Sequence, residues 1–299
     1  MNQKYIYALG YFDGVHAGHT QLLSACRVLA QSGGYGCGAV TFSTHPEALL
    51  QGKAPRLINT DRDRNMLLMQ HHMDTVVELE FDEMLMQTPW QLFLEQLIRD
   101  HGAAGFVCGS DFRFGSGGEG TACSLEAFCQ SRQLPCRVVE QQQIDGIRVS
   151  STHIRRLLEQ GNLPQAMRFL GHPHILSGTV QRGKQLGRTI GVPTANLAYP
   201  GQLVQLPYGV YACRVCVEGK LYASVTNVGV RPTVDGQGVT VENWLQDFSG
   251  DLYGKTITVR FYEFLRPEYK FPDLSHLKGQ IENDKNIIEK VLAKYELHP

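Results

Sequence analysis

The sequence predicts two domains of different class: an α/β unit with a Rossmann-like, parallel, doubly wound sheet over residues 1–172, and an antiparallel β-barrel with a terminal helix over residues 173–299. Three observations predict this. The chain has 299 residues, about twice a typical domain, and 42% of them are hydrophobic, enough for a core in each half. Up to Gly171, short apolar runs alternate with helical periods. Beyond Gly171 the runs are strand-like and the helical period returns only at the end of the chain.

Each element follows from local chemistry. Residues 4–9 and 36–42 are apolar runs that predict strands on either side of a helix over 20–30. A helix over 62–71 leads to a strand at 75–79, and Thr88 before Pro89 predicts an N-cap with proline at the first helical position. A strand at 105–108, a helix at 125–133, a strand at 136–139, an Asp145-Gly146 hairpin turn and a helix at 152–160 complete the alternation. Ligands of such a sheet bind beyond the carboxyl ends of its strands. A helix carrying 166–170 is interrupted by His172-Pro173, which sets the boundary. Residues 175–181, 209–217, 221–228, 239–247 and 256–265 predict strands between Gly, Pro and Asp turns. The last element, 274–292, aligns Leu274, Leu277, Ile281, Ile288 and Leu292, an amphipathic helix expected to cover a barrel end or edge.

Composition removes several function classes. The 28 basic and 29 acidic residues divide as 14 against 17 over 1–171 and 14 against 12 over 172–299, so neither half carries the excess of cations that nucleic-acid backbones require. No run approaches the ~18 apolar residues of a membrane span, and the opening MNQKYIYALGYFDG lacks the apolar core of a signal peptide, which predicts a cytoplasmic protein. Eight cysteines lack metal-type spacing apart from Cys213 and Cys216, and these fall on a predicted strand where positions three apart face opposite sides. Reduced, packing thiols are the expectation.

The first half carries a phosphate-handling pattern. Directly after the first strand stands GYFDGVHAGH, from Gly10 through Phe12, Asp13, Gly14, His16 and Gly18 to His19, opening into a helix. Gly10 and Gly14 are expected to turn the backbone, and Gly18 to let a phosphate approach the helix N-terminus. His16 and His19 are candidate donors to the charge that develops when an α-phosphate is attacked and pyrophosphate leaves. Downstream, RVSSTHIR places Arg148, Ser151, Thr152 and Arg155 where a helix begins, as caps or as phosphate ligands.

The second half carries a different one. Residues 177–197 contain four glycines, including Gly183 and Gly187, together with Lys184 and a Pro-Thr-Ala-Asn tetrad. The run lacks the ending of a Walker loop and no helix follows it, so phosphates would lie against a loop and a strand. Thr194 and Asn196 supply hard oxygens of the kind that Mg²⁺ takes when ATP provides the rest. Glu242, in the strand-like VTVENWLQDF, is the candidate base, on the face opposite Val241 and Asn243.

GYFDGVHAGH, GSDFRFG at 109–115 and VSSTHIR in that order resemble the adenylyltransferase half of the bacterial bifunctional riboflavin kinase/FAD synthetases, and PTAN, NVGVRPTV, GDLYGK and LRPEYKF resemble the kinase half. The resemblance runs end to end. It implies a nucleotidylyltransferase α/β fold followed by a riboflavin kinase barrel, which convert riboflavin to FMN and FMN to FAD with ATP and Mg²⁺. It assigns ATP handling to His16, His19, Arg148, Ser151, Thr152 and Arg155, and the flavin or adenine to Asp111, Phe112 and Phe114. Asp111 has a second reading as a loop ion pair with Arg113. In the kinase half the resemblance makes Glu242 the base, gives Thr194 and Asn196 to Mg-ATP, and sets Asn227 and Arg266 beside the flavin. The family often has Asn at Tyr11, His at Asn243 or Trp244, and Arg-Pro-Tyr at 172–174. Two other readings are a chain that keeps one activity and a flavin-binding regulator without turnover. Retained Glu242, Thr194, His16 and His19 argue against the regulator.

Overall fold

The computed structural model describes residues 3–182, 193–233, 236–269 and 272–295. In chain order the first half forms β1 (Tyr5–Leu9), α1 (Ala17–Gly33), β2 (Gly36–Phe42), α2 (Pro46–Leu50), α3 (Asp61–Gln70), β3 (Thr75–Leu79), α4 (Glu83–Gln87), α5 (Trp90–His101) and β4 (Ala103–Gly109). The short pair β5 (Arg113–Phe114) and β6 (Gly120–Thr121) follows, then α6 (Ala122–Ser131), β7 (Cys136–Val139) and the hairpin of β8 (Gln143–Ile144) and β9 (Ile147–Arg148).

Five strands pair in parallel in the order β3-β2-β1-β4-β7. The chain winds outward from β1 through β2 to β3, then returns to β4 on the other side of β1. That reversal opens a crevice beyond the carboxyl ends of β1 and β4. Alternation along the strands sends Tyr7, Leu9, Phe106 and Cys108 into one core with Phe93, Leu94 and Leu97 of α5 and Leu125 and Phe128 of α6. On the opposite face α1 buries Cys26, whose thiol donates to the Ile6 carbonyl at 3.2 Å.

One local expectation is corrected here. Thr88 does not cap α5: its hydroxyl donates back to the Met84 carbonyl at 2.8 Å and closes α4. Pro89 takes the cap position without a side-chain bond, and the helix starts at Trp90. A threonine four residues after an accessible carbonyl has two competing partners, and the preceding turn wins.

After α7 (Ser151–Glu159) and α8 (Leu163–Leu170) the second half forms β10 (His174–Thr179), β11 (Ala195–Ala198), β12 (Gly209–Val217), β13 (Lys220–Thr233), β14 (Gly236–Leu245), β15 (Thr256–Pro267) and α9 (Leu274–Ala293). Its six strands pair antiparallel in the order β10-β15-β12-β13-β14-β11. A bridge between Gln181 and Asn196 brings the two edges together, so the sheet is a nearly closed barrel. Tyr211, Cys213, Val215, Val241 and Phe261 fill the interior. The described part of the terminal helix covers a face rather than the expected end or edge: Ile288, Val291 and Leu292 of α9 pack on Val210, Ala212, Val225 and Tyr262, outside the central strands β12, β13 and β15.

By contacts the chain divides into Met1–Pro55 with Arg64–Ser151, and Arg56–Asp63 with Thr152–Pro299. The inserted segment is tied to the barrel unit by Leu57 N to Gln202 O (2.8 Å) and by Ser177 N to the Asp63 carboxylate (3.1 Å).

Candidate active sites

In the first unit the loop between β1 and α1 is held in an unusual backbone conformation. Phe12 (φ 60°), Gly14 (φ 82°) and Val15 (φ 39°) are all left-handed, and only glycine occupies that region without cost. Gly10 is not one of the turning residues. What it provides is room, because a Cβ there would lie 3.2 Å from the Phe12 ring. Gly18 acts likewise toward His16, whose ring would be 3.3 Å from a Cβ. The Thr41 hydroxyl holds the Tyr11 carbonyl at 2.9 Å, and the Ser151 hydroxyl holds that of Asp13 at 3.0 Å, so both sequence motifs meet at one loop.

His16 is buried and caps α1, its Nδ1 accepting from the His19 backbone N–H at 3.3 Å. A neutral His16 therefore carries its proton on Nε2. The rings of His16 and His19 stack with centroids 3.6 Å apart and 10° between planes, and the Phe12 ring meets His19 edge-on at 5.2 Å. Burial, and secondarily the His16 ring, hold the His19 imidazole well below its ordinary pKa. Its Nδ1 is sealed from solvent with no hydrogen-bond partner among the described residues.

These groups line a cavity of about 540 Å³ together with Gly10, Gly109, Asp111, Phe112, Arg148 and Ser151. Asp111 pairs with Arg148, so that in place of the alternative loop pair with Arg113 there is this longer link between the β4 loop and the end of β9. Phe42, Pro46, Phe112 and Arg113 are shared with a second, mainly apolar cavity of about 520 Å³ that Phe114 also lines. Phe112 and Phe114 stack at 5.4 Å, and Phe114 belongs to the core under α5. Thr152 and Arg155 stand on α7, in the second unit, exposed and half-buried respectively.

Sequence reasoning missed His45. It caps α2 through Nδ1 to Glu47 N at 3.2 Å, meets the Tyr11 ring edge-on at 4.4 Å, and lines the first cavity. The signal was present: a His-Pro pair directly beyond the second strand occupies the same topological place as the histidine loop beyond the first.

On the barrel, directly paired residues of antiparallel strands share a face. Asn196 on β11 pairs with Glu242 on β14, Glu242 with Asn227 on β13, Asn227 with Val210 on β12, and Val210 with Arg266 on β15. Four residues singled out in the sequence thus form one transverse row on the outer face. Their neighbours Asn243 and Thr226 point inward and bond each other at 2.9 Å, with no exposure. Glu242 is half-buried, and the Asn227 amide donates to Glu268 at 2.6 Å. Asn196 is buried, its Nδ2 donates to the Thr194 carbonyl at 3.2 Å, and its Oδ1 has no partner among the described residues. Thr194 and Asn196 line a cavity of about 440 Å³ with Trp244, Asp247, Phe248 and Tyr253. An orphaned amide oxygen in a cavity wall that Thr194 also lines fits a hard cation. Gly183, Lys184 and Gly187 lie outside the described residues.

Comparison with known proteins agrees with both halves. A family model described as FAD synthetase matches residues 1–153, and one described as riboflavin kinase matches residues 170–292. The chain belongs to the bifunctional riboflavin kinase/FMN adenylyltransferase family. Members bearing that name from Haemophilus influenzae and Listeria monocytogenes are 36% and 30% identical, over 92% and 97% of this chain and 90% and 93% of their own. A crystal structure described as a macrolide-efflux protein from Streptococcus pneumoniae is 28% identical with a TM-score of 0.84, covering 97% of this chain and 95% of its own. Among the described residues of this family member no helix is long and apolar enough to cross a membrane.

Proposed function

We propose that the barrel phosphorylates riboflavin with ATP and that the parallel-sheet crevice then adenylylates FMN with a second ATP, releasing FAD and pyrophosphate. The order is chemical: the ribityl hydroxyl must carry a phosphate before that phosphate can attack ATP. Adenylylation is assigned to residues 1–172 and phosphorylation to 173–299.

The transverse row carries the kinase reading. Glu242, between Asn196 and Asn227, accepts the hydroxyl proton as that oxygen attacks the γ-phosphorus and ADP departs. Thr194 and Asn196 would hold Mg²⁺, which offsets phosphate charge when bound with ATP. Gly183, Lys184 and Gly187 belong to the loop assigned to the phosphates, and Asn227 and Arg266 to the flavin side. In the crevice, His16 and His19 donate to phosphate oxygens as an FMN oxygen attacks the α-phosphorus. Gly10, Phe12, Asp13, Gly14 and Gly18 shape the loop, and Arg148, Ser151, Thr152 and Arg155 bind the triphosphate. The apolar cavity beside Asp111, with Phe112 and Phe114 in its wall, suits a flavin ring. The balanced charge supports small molecules rather than nucleic acid as partners, and the ATP supply supports a cytoplasmic setting.

The test is chromatography of products after pure protein meets riboflavin and Mg-ATP. FAD is expected. Riboflavin unchanged overturns both assignments, and FMN that never proceeds overturns the second.

A further inference from the structure

We propose that Asp284 of α9 is a positioning residue of the phosphorylating site, fixing the Arg266 guanidinium at the end of the transverse row; this rests on the reading of that site given above.

Arg266 is the only charged member of the row on the β15 side. Asp284 holds it by two bonds, from Nη2 at 2.7 Å and from Nε at 3.2 Å. The carboxylate is itself anchored. Asp284 is 1% exposed, and Gln280, one helical turn earlier, donates to its Oδ1 at 2.8 Å. The guanidinium carbon also lies 4.6 Å from the centre of the Tyr269 ring, so the fork is held at its edge by Asp284 and lies over an aromatic face.

Attachment of α9 does not explain this pair. Ile288, Val291 and Leu292 already pack on the outer face, and a buried ion pair contributes little stability relative to apolar groups of the same size. What a two-point carboxylate supplies is direction. It selects the plane of a side chain that otherwise has many rotamers, a plane that the Nη1 bond to the Pro267 carbonyl at 3.3 Å shares, and a guanidinium with a set plane meets an anionic or carbonyl-rich ligand without a further ordering cost. The same helix makes a second polar contact, Glu289 with Gln246 at 2.7 Å, that reaches no row residue, and it provides the control.

The experiment measures riboflavin phosphorylation kinetics at saturating Mg-ATP, and FMN adenylylation on the same preparations, for the full chain. Asp284→Asn is expected to raise KM for riboflavin about tenfold or more with adenylylation unchanged. In an Arg266→Met background the same change should move KM by less than about twofold, because the group through which Asp284 acts is gone. Glu289→Gln should leave KM alone. If Asp284→Asn melts before assay, Arg266→Lys takes its place: it keeps the charge and loses the fork, and KM should rise equally. An unchanged KM in Asp284→Asn or Arg266→Lys, or an equal rise in the Met background or in Glu289→Gln, overturns the proposal while leaving the site reading intact. A wild type that makes no FMN overturns the site reading first and the proposal with it.

Discussion

Asn196 and Glu242 stand directly opposite each other on β11 and β14, a buried carboxamide with an orphaned oxygen beside a half-buried carboxylate. A cation at the one and a base at the other would bracket a hydroxyl and the phosphate it attacks. Strand pairing alone brings them together, since 46 positions separate 196 from 242 in the chain. The first unit achieves a comparable junction with one hydroxyl, Ser151 to the Asp13 carbonyl.

Glu242→Gln keeps the side-chain shape and removes the base. Riboflavin phosphorylation should fall about a hundredfold or more, while added FMN is still adenylylated at the wild-type rate. Initial rates of each half-reaction decide it, and equal loss of both in a folded protein contradicts separate sites.

His19→Ala should do the converse. Loss of a preorganised donor costs about 2.7–4 kcal/mol of transition-state stabilisation, roughly a hundredfold to a thousandfold in rate. Thermal melts of the variant separate this loss from a folding defect, because the ring also packs against His16 and Phe12.

Asp111→Ala releases Arg148. Both side chains are about half exposed, so the pair contributes under about 1 kcal/mol to stability and the melting temperature should hardly move. Only the adenylylation step should weaken, seen in its KM values. A large drop in melting temperature would show that the link between the loops is structural.

Chelation with EDTA should abolish both half-reactions, and added Mg²⁺ should restore them, since both develop charge on phosphate oxygens. Full activity in excess chelator would remove the cation from the reading of Thr194 and Asn196.

Acid should destabilise the barrel through His174. It is 1% exposed against Phe261, neither ring nitrogen has a partner among the described residues, and burial, then His172, pushes its pKa down to about 3. An unfolded chain takes up this proton near pH 6.5 and the folded chain near 3, so the unfolded state binds more protons in between. The contribution is complete above pH 6.5 and is lost as pH falls toward 3, by about 1.4 kcal/mol per pH unit. Urea unfolding followed by Trp244 fluorescence in a Trp90→Phe background should show a shallower acid slope for His174→Phe than for His174. Identical slopes would mean that the ring reaches solvent.

The sequence by itself determined the class of each half, the order of its larger elements and the strings from which the candidate site residues are drawn. Strand period, helix period and glycine placement are local properties, and GYFDGVHAGH, VSSTHIR and PTAN are contiguous strings. Tertiary structure decided what those strings meet. Asp111 reaches Arg148 instead of Arg113 because the β4 loop and β9 converge beyond the sheet, 37 positions apart in the chain. His45 joins the crevice because parallel winding sets the end of β2 beside that of β1. Arg266, Asn227, Glu242 and Asn196 form a row only through the registers of five strands, and α9 lies over the barrel's outer face because Val210, Ala212, Val225 and Tyr262 leave an apolar surface there. Register and crossover depend on which distant residues bury together, and no local window of sequence contains that information.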